Sequence, residues 1–315
     1  MKPLSYAQNM EDMQLAHALG ERVGFYLDIG AGHPIADNVS LYFYERGWRG
    51  LVVEPQPELA RLYAALRPRD GCVQALIGQS SGVADFHVFS TYHGLSTMVE
   101  AHAKAAAQLG EAATTQQLPV QTLAQLCADH QVGEIDFLKI DVEGAEADVL
   151  MGNDWSRYRP KIIVAEAIAP GTQAPSHQAF EPFLQAQGYQ FVLFDTLNRF
   201  YVAQECPEII ARFDGTRIDW GIATHMYEIG RAPENARHPD HALANTLAQG
   251  LWASLPHMPR EWLAQLILRG EGKAPDAPAI AALATALDGE AMRLGLGRIA
   301  AGYDGGQIYP SAKGE

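Results

Sequence analysis

Short runs of apolar residues alternate with amphipathic stretches along the first two thirds of the chain. The runs are rich in valine, isoleucine, leucine and phenylalanine, as in strands that are buried on both faces, and the stretches between them repeat apolar residues at helical spacing. This alternation predicts an α/β fold in which a mostly parallel sheet carries helices on both faces. The first strands predicted for this sheet are Gly24 to Ile29, Leu51 to Glu54, Val73 to Ile77, Ile135 to Asp141 and Ile162 to Glu166.

Capping residues and helix breakers delimit the predicted helices. Asp37 or Asn38 can cap a helix that Gly47 ends, and the next helix has Pro57 in its first turn. The stretch from Ala84 to Ser90 alternates polar and apolar residues, which predicts an additional strand with one solvent-facing side. The predicted helices are Asn38 to Arg46, Pro57 to Arg67, Val99 to Glu111, Ala145 to Met151 and Gln178 to Gln187.

The pattern changes at the end of the predicted sheet. Tyr189 to Val202 predicts two strands joined by a turn, so that a seven-stranded sheet ends in an antiparallel pair. This pair is typical of the Rossmann-like fold of class I methyltransferases and distinguishes it from that of dinucleotide-binding dehydrogenases. Alanine- and leucine-rich helical patterns follow from His238 to Arg269 and from Asp276 to Ala300. We therefore expect a domain over residues 1–213 and a helical C-terminal extension over residues 214–315, which serves oligomerisation or recognition of an acceptor substrate.

Composition narrows the range of functions. A formal net charge of −14 argues against a nucleic-acid ligand, because phosphate binding relies on clustered lysine and arginine. The 3 cysteines show no Cys-x-x-Cys spacing, so neither a disulfide framework nor a zinc site is indicated. The chain lacks an apolar N-terminal signal and any apolar run of about 20 residues, which predicts a cytoplasmic protein without a membrane span.

The strongest candidate site follows the first predicted strand, in the segment DIGAG from Asp28 to Gly32. Gly30 and Gly32 allow a tight turn and a close approach of the backbone to a ligand. Asp28 can hold the amino group of a methionine moiety. Glu54, about 20 residues further on at the end of the second strand, can accept both hydroxyls of a ribose. The pattern indicates S-adenosylmethionine as the cofactor.

Two positions separate this site from that of an NAD-dependent oxidoreductase, which is the main alternative. The dinucleotide fingerprint requires glycine where Ile35 stands, and the common methyltransferase form has glycine where Pro34 stands. A diphosphate requires the closer approach of the backbone, so Ile35 weighs more against NAD than Pro34 does against S-adenosylmethionine.

Carboxylates follow the fourth and fifth predicted strands, at the edge where open α/β sheets bind ligands. Asp141 and Glu143 come directly after the fourth strand, and Glu166 ends the fifth. These groups can act as a general base, or Asp141 and Glu143 can hold Mg²⁺. Glu146 is expected to complement the dipole of the following helix. His93 lies in a polar loop that can cover the acceptor, and it is a further candidate base.

A distinctive series of segments occurs in a fixed order along the first two thirds of the chain. The segments are SYAQNMED (Ser5 to Asp12), DIGAGHPIADNVS (Asp28 to Ser40), FYERGWRGLVVEP (Phe43 to Pro55), GLST (Gly94 to Thr97), FLKIDVEGAEADVLMG (Phe137 to Gly152), RPKIIVAEA (Arg159 to Ala167) and FDTLNRFYV (Phe194 to Val202). As an ordered set they resemble the FkbM family of S-adenosylmethionine-dependent methyltransferases.

The resemblance implies O-methylation, often of a sugar hydroxyl in a polysaccharide, a lipopolysaccharide or a glycosylated metabolite. It also implies that Asp141 lies near the reacting centre and that the segment from Gln8 to Asp12 folds over the cofactor end of the sheet, with Gln8 in contact with the cofactor. The region after Phe213 does not match the family core, so a homodimer through the C-terminal helices and a role in acceptor choice both stay open. A non-catalytic scaffold that partners a glycosyltransferase is a further alternative. The cofactor-binding residues implied by the resemblance are Asp28, Gly30, Gly32, Asn38 and Glu54, and Asp141 is a further candidate for contact with the cofactor.

Overall fold

The computed structural model of the protein describes residues 2–89, 96–99, 114–169, 174–213, 220–287 and 289–304. The chain forms two compact units, Met1–Met226 and Tyr227–Glu315. Most of the helix predicted from Val99 to Glu111 lies outside the described residues. Within the described ranges, no helix combines the length and the apolar composition that crossing a bilayer requires.

The first unit is built on a mostly parallel sheet. The described strands of this unit, which belong to three sheets, are β1 (Leu4–Ser5), β2 (Phe25–Ile29), β3 (Arg49–Val53), β4 (Gly71–Val73), β5 (Leu76–Ile77), β6 (Gly82–Val88), β7 (Thr114–Gln121), β8 (Phe137–Ile140), β9 (Ile162–Glu166), β10 (Tyr189–Phe194), β11 (Asn198–Ala203) and β12 (Thr224–His225). The central sheet has the order β10-β11-β9-β8-β2-β3-β4, and β11 is antiparallel to both of its neighbours. This order with one reversed strand is that of the class I methyltransferases, so the predicted fold class is confirmed.

Helices cover the sheet on both faces. Consecutive strand residues point to opposite faces, and every residue of β8 is buried, as are nearly all of β2 and β9. Tyr26 and Phe137 stack across β2 and β8 with their ring centroids 5.4 Å apart. The described helices of this unit are α1 (Glu11–Leu19), α2 (Leu41–Glu45), α3 (Pro57–Leu66), α4 (Leu123–Asp129), α5 (Glu146–Met151), α6 (Glu181–Ala186) and α7 (Pro207–Phe213).

A second sheet, with the order β5-β7-β6, lies in the segment between β4 and β8. The prediction of one strand from Val73 to Ile77 is therefore wrong: β4 ends at Val73, Gln74 is exposed, and β5 pairs with β7. A run of apolar residues does not show that the chain leaves one sheet at Val73 and enters another at Leu76. The additional strand predicted from Ala84 corresponds to β6. Its partner β7 was not predicted, because its sequence TTQQLPVQ has few apolar residues.

The helix predicted from Asn38 begins only at Leu41. Asn38 Oδ1 accepts a hydrogen bond from the Leu41 backbone N–H at 2.8 Å, as a capping side chain does. The residue is therefore used to shape the turn that precedes the helix.

The second unit is helical, as predicted. The pairing of β12 with β1 keeps the chain up to Met226 in the first unit, beyond Phe213. The described helices that follow are α8 (His241–Ser254), α9 (Arg260–Gly270), α10 (Ala277–Ala286) and α11 (Glu290–Asp304). Their small core contains Leu255, Leu263, Ala264, Ala284, Leu287 and Leu296.

A buried arginine holds the end of α3 against the chain that follows β2. Arg67 is 1% exposed, and its Nη2 lies 2.6 Å from Asp70 Oδ2. Its guanidinium also donates to Asn38 Oδ1 at 2.8 Å and to Ser40 Oγ at 2.9 Å. A buried ion is tolerated only with partners of this kind, so these contacts fix the segment between β2 and α2.

Replacing Arg67 by methionine is expected to lower the free energy of unfolding by about 3–5 kcal/mol, because the Asp70 carboxylate stays buried without its cation. Arg61→Met is the control, since Arg61 pairs with Glu58 on the same helix but the two side chains are 71% and 80% exposed. The control should change the stability by less than about 0.5 kcal/mol. Urea unfolding followed by circular dichroism measures both, and a small loss for Arg67→Met would contradict this account.

Candidate functional site

The carboxyl ends of four parallel strands bring the predicted site residues to one edge of the sheet. Asp28 lies in β2, Glu54 follows β3, Asp141 follows β8 and Glu166 ends β9. In the register of β2 and β8, Asp28 lies opposite Lys139. The sequence therefore predicted correctly that these residues follow neighbouring strands.

Two glycines of the loop after β2 serve different purposes. Gly30 and Gly32 both have positive φ, at 73° and 61°, which side-chain-bearing residues rarely adopt. A Cβ atom on Gly30 would lie 1.8 Å from the carbonyl oxygen of Asp141, whereas one on Gly32 would meet nothing within 4 Å. Gly30 thus lets the loop pack against the end of β8, and Gly32 leaves open space above the loop, where a ligand can approach the backbone.

Asp28 offers an acceptor that the described protein atoms do not use. Its side chain is fully buried, and Oδ2 accepts a hydrogen bond from Ser40 Oγ at 2.6 Å. Among the described residues Oδ1 has no hydrogen-bond partner, and the ammonium of Lys139 lies 3.7 Å away. A buried acceptor without a donor is costly, so Asp28 Oδ1 is a candidate acceptor for a donor group of a ligand.

Glu54 makes two contacts with the backbone and can still accept further hydrogen bonds. It is 3% exposed, and its two oxygens accept backbone N–H groups of Gly32 at 2.9 Å and Gln56 at 2.8 Å. Each carboxylate oxygen keeps a further lone pair that can accept a hydroxyl. Burial raises the pKa of Glu54 from 4.5 to about 7. The residue is therefore half protonated near neutral pH.

Asn38 lies beneath this loop. It is 1% exposed, and its amide nitrogen donates to the carbonyl oxygens of Ala31 at 3.0 Å and His33 at 3.1 Å. These contacts hold in place the loop between β2 and α2, from Gly30 to Ser40, which we call the cofactor loop. A direct contact of Asn38 with the cofactor stays a prediction.

The N-terminal segment from Gln8 to Asp12 reaches the neighbouring end of the sheet. Asn198 donates to Glu11 Oε1 at 2.6 Å, and Asn198 also lies opposite Glu166 in the register of β11 and β9. Gln8 itself is exposed, and its contact with the cofactor stays a prediction.

Three carboxylates converge beyond β8 and β9. Asp141, Glu143 and Glu166 each offer an oxygen, and these oxygens lie within 4.8 Å of one another. Glu143 has a φ of 54°, so the backbone turns sharply after β8. Glu146 supports this turn, because its Oε1 accepts backbone N–H groups of Val142 and Gly144. Oxygen donors in such a cluster can bind hydroxyl groups or a hard cation such as Mg²⁺.

The electrostatics of this cluster differ from residue to residue. Burial, and then the charge of Asp141, raise the pKa of Glu143 to about 9 and that of Glu166 to about 10. Both glutamates therefore hold a proton near neutral pH. Asp141 Oδ2 instead lies 3.3 Å from the ammonium of Lys139. The cluster thus presents protonated carboxyl groups beside an ion-paired aspartate.

Sequence reasoning did not identify Lys139 as a member of the site. Its ammonium donates to the Gly30 carbonyl at 2.8 Å, in addition to its contacts with Asp28 and Asp141. Burial lowers the pKa of Lys139, but the charges of Asp141 and Asp28 outweigh that effect and raise it. The sequence did contain a signal for this residue, since Lys139 interrupts a strand that is otherwise apolar.

The polar loop that was predicted to cover the acceptor is described only in part. His93 lies outside the described residues, so its role stays a prediction. Thr97 belongs to the described end of the loop, and its hydroxyl donates to the carbonyl oxygen of Glu143 at 2.9 Å. This contact ties the loop to the carboxylate cluster.

Comparison with known proteins supports the expected family. The model of the methyltransferase FkbM domain matches residues 28–191, just over half of the chain. One similar solved structure is the crystal structure of an O-methyltransferase from Bacillus cereus in complex with SAH, at 12% sequence identity and a TM-score of 0.33. The similarity covers 62% of this chain and 81% of that one. No curated protein matches the chain.

Cofactor affinity is expected to depend on pH through Glu54. Ribose hydroxyls donate to the ionised carboxylate, whose pKa is about 7, so S-adenosylhomocysteine should bind more weakly at pH 6 than at pH 8. Glu54→Gln should weaken binding at pH 8 by roughly 1.5–3 kcal/mol and reduce the pH dependence. Glu58→Gln, at an exposed position of α3, is the matched control for calorimetry. Equal affinities for wild type and Glu54→Gln at pH 8 would show that the ribose is held elsewhere.

Proposed function

The chain belongs to the FkbM family of S-adenosylmethionine-dependent methyltransferases, and we propose that it methylates a hydroxyl group of a sugar in a glycan, a polysaccharide or a glycosylated metabolite. The observation that carries this proposal is the cluster of Asp141, Glu143 and Glu166 beside the cofactor loop. Carboxyl groups bind polyols well, because a protonated carboxyl both donates and accepts hydrogen bonds. The family match does not support the NAD-dependent alternative.

Methyl transfer requires the protein to align two groups and to remove one proton. When bound, S-adenosylmethionine supplies a methyl group that its sulfonium has already activated. We assign the cofactor amino group to Asp28 and the ribose to Glu54, through the buried oxygens described above. These residues would hold the cofactor at the edge of the sheet where β8 and β9 also end.

The carboxylate cluster then orients the acceptor. Asp141 would accept the proton that the acceptor hydroxyl loses when it is methylated. Glu143 and Glu166 hold protons near neutral pH, since burial and the charge of Asp141 raise the pKa of each, and they donate hydrogen bonds to neighbouring hydroxyls. We further propose that His93 helps to cover the acceptor, as predicted from the sequence.

Asp141→Asn tests the assignment of the base. The substitution keeps the shape and removes the proton acceptor, so the turnover number should fall at least about 100-fold. Affinity for S-adenosylhomocysteine should stay within about threefold, because other residues hold the cofactor. Asp129→Asn, at the end of α4, is the control and should leave both quantities unchanged. Release of S-adenosylhomocysteine with a panel of glycan acceptors measures turnover, and a near-normal rate for Asp141→Asn would move the role to Glu143, Glu166 or His93.

Treatment with a chelator separates this mechanism from a metal-dependent one. The same oxygens match the donors that Mg²⁺ prefers, with Asp141 and Glu143 as its ligands. With Asp141 as the base, EDTA leaves the wild-type rate unchanged. A loss of activity that Mg²⁺ restores would show instead that the carboxylate cluster binds a metal ion that the reaction requires.

The helical unit offers a surface for self-association. Leu243, Leu247 and Leu251 are 58%, 63% and 40% exposed, and their spacing of four residues places them on one face of α8. The helix contains no Asp, Glu, Lys or Arg. Two copies of a chain with a net charge of −14 repel each other, so a charge-free apolar face is suited to contact between them. We propose a homodimer through this face.

Leu247→Glu is expected to convert the dimer to a monomer, because a buried carboxylate without a cation is costly in an interface. Gln249→Glu is the control, as it adds the same charge at an exposed position on the opposite face of α8. Light scattering coupled to gel filtration measures the mass of each variant. A dimer that survives Leu247→Glu would rule out this face as the interface.

A further inference from the structure

Lys139 occupies a position that packing alone does not explain. It lies in β8 among phenylalanine, leucine and isoleucine, and its residue exposure is 7%. A lysine at this depth loses its hydration and requires compensating partners. An apolar residue would fill the same place in the sheet without that cost, so the charge itself requires an explanation.

The three partners of the Lys139 ammonium belong to the two parts of the proposed site. The carboxylate of Asp28, at 3.7 Å, belongs to β2, and the carbonyl of Gly30, at 2.8 Å, belongs to the cofactor loop that follows it. The carboxylate of Asp141, at 3.3 Å, belongs to the acceptor cluster. Lys139 thus places a positive charge where the cofactor and the acceptor meet.

We propose that Lys139 is a positioning residue whose charge sets the relative affinity of the site for the cationic cofactor and its neutral product. The inference rests on the proposed function, in which the cofactor is a sulfonium and the product a thioether. Asp28, Glu54 and Asp141 favour a cation at the sulfur position. The ammonium of Lys139 offsets this attraction, so the reactant is not held much more tightly than the state in which its charge has been lost.

A second lysine provides a matched control. Lys161 immediately precedes β9 and is also paired with carboxylates, at 2.9 Å from Asp136 and in contact with Glu134. It lies at the opposite end of the strand from Glu166, and hence at the edge of the sheet remote from the proposed site. Removing its charge tests the general effect of losing a partly buried lysine that is paired with carboxylates.

Calorimetric titration with S-adenosylmethionine and S-adenosylhomocysteine tests the proposal in wild type, Lys139→Met, Lys139→Gln, Lys139→Arg and Lys161→Met. Both neutral variants at Lys139 should shift the ratio of the two affinities towards S-adenosylmethionine by about tenfold, the scale of a unit charge at close range. Lys139→Arg keeps the charge and should keep the wild-type ratio, as should Lys161→Met. A merely structural role would weaken the binding of both ligands equally and leave the ratio unchanged.

The outcomes distinguish this inference from the proposed function. If wild type binds both ligands but the ratio does not move in the neutral variants, the role assigned to Lys139 is wrong and the cofactor assignment stands. If wild type binds neither ligand, the proposed function itself fails and the inference with it. If only Lys139→Arg folds among the variants at this position, the charge serves folding, and the proposal is overturned.

Discussion

The contact between one buried lysine and two carboxylates governs the arrangement of the whole site. The Lys139 ammonium lies 3.7 Å from Asp28 and 3.3 Å from Asp141, and only 9% of the lysine side chain is exposed. The loops that follow β2 and β8 are therefore linked by electrostatics as well as by their strands. Ser40 extends this network, since it donates to Asp28 and accepts from the buried Arg67. The strand ends, the cofactor loop and the end of α3 behave as one connected unit.

Two glutamates at strand ends show how backbone donors divide the roles in such a site. Burial raises the pKa of both Glu54 and Glu166. Glu54 receives two backbone hydrogen bonds that favour its ionised form, which limits its pKa to about 7. Glu166 has like charges as neighbours, and its pKa rises to about 10. The same residue type thus has a near-neutral pKa at one strand end, which suits the proposed contact with a ribose, and a much higher pKa at another.

The sequence was sufficient for the parts of the site that depend on strand order. A parallel sheet brings the ends of its strands to one edge, so Asp28, Glu54, Asp141 and Glu166 were predictable from the strands they terminate. Side-chain direction was not predictable in the same way. The strand pattern does not show that Lys139 points towards Asp28, and that became evident only from the register of β2 and β8.

The second sheet escaped prediction for a related reason. We predicted strands from runs of buried apolar residues. The strand β7 has mostly polar residues, and the side chains at its start are exposed. Its pairing with β6 depends on contacts between the two backbones, which a pattern of apolar residues does not reveal. Strands of this kind can be recognised only in the structure, where both partners of the pair are known. The strand β5 pairs with β7 because the chain leaves the central sheet after Val73.

Unpartnered acceptors indicate how the site divides between its two substrates. Within the described part of the chain, Asp28 Oδ1 and Glu166 Oε2 are buried and lack hydrogen-bond partners. Such atoms are costly unless a ligand supplies the missing contact. Asp28 lies near the end of β2, where the amino group that we propose as its ligand would supply a donor. Glu166 ends β9, where a hydroxyl of the proposed acceptor would do the same. The two atoms are therefore consistent with a site that one cationic and one neutral ligand complete, as the proposed function requires.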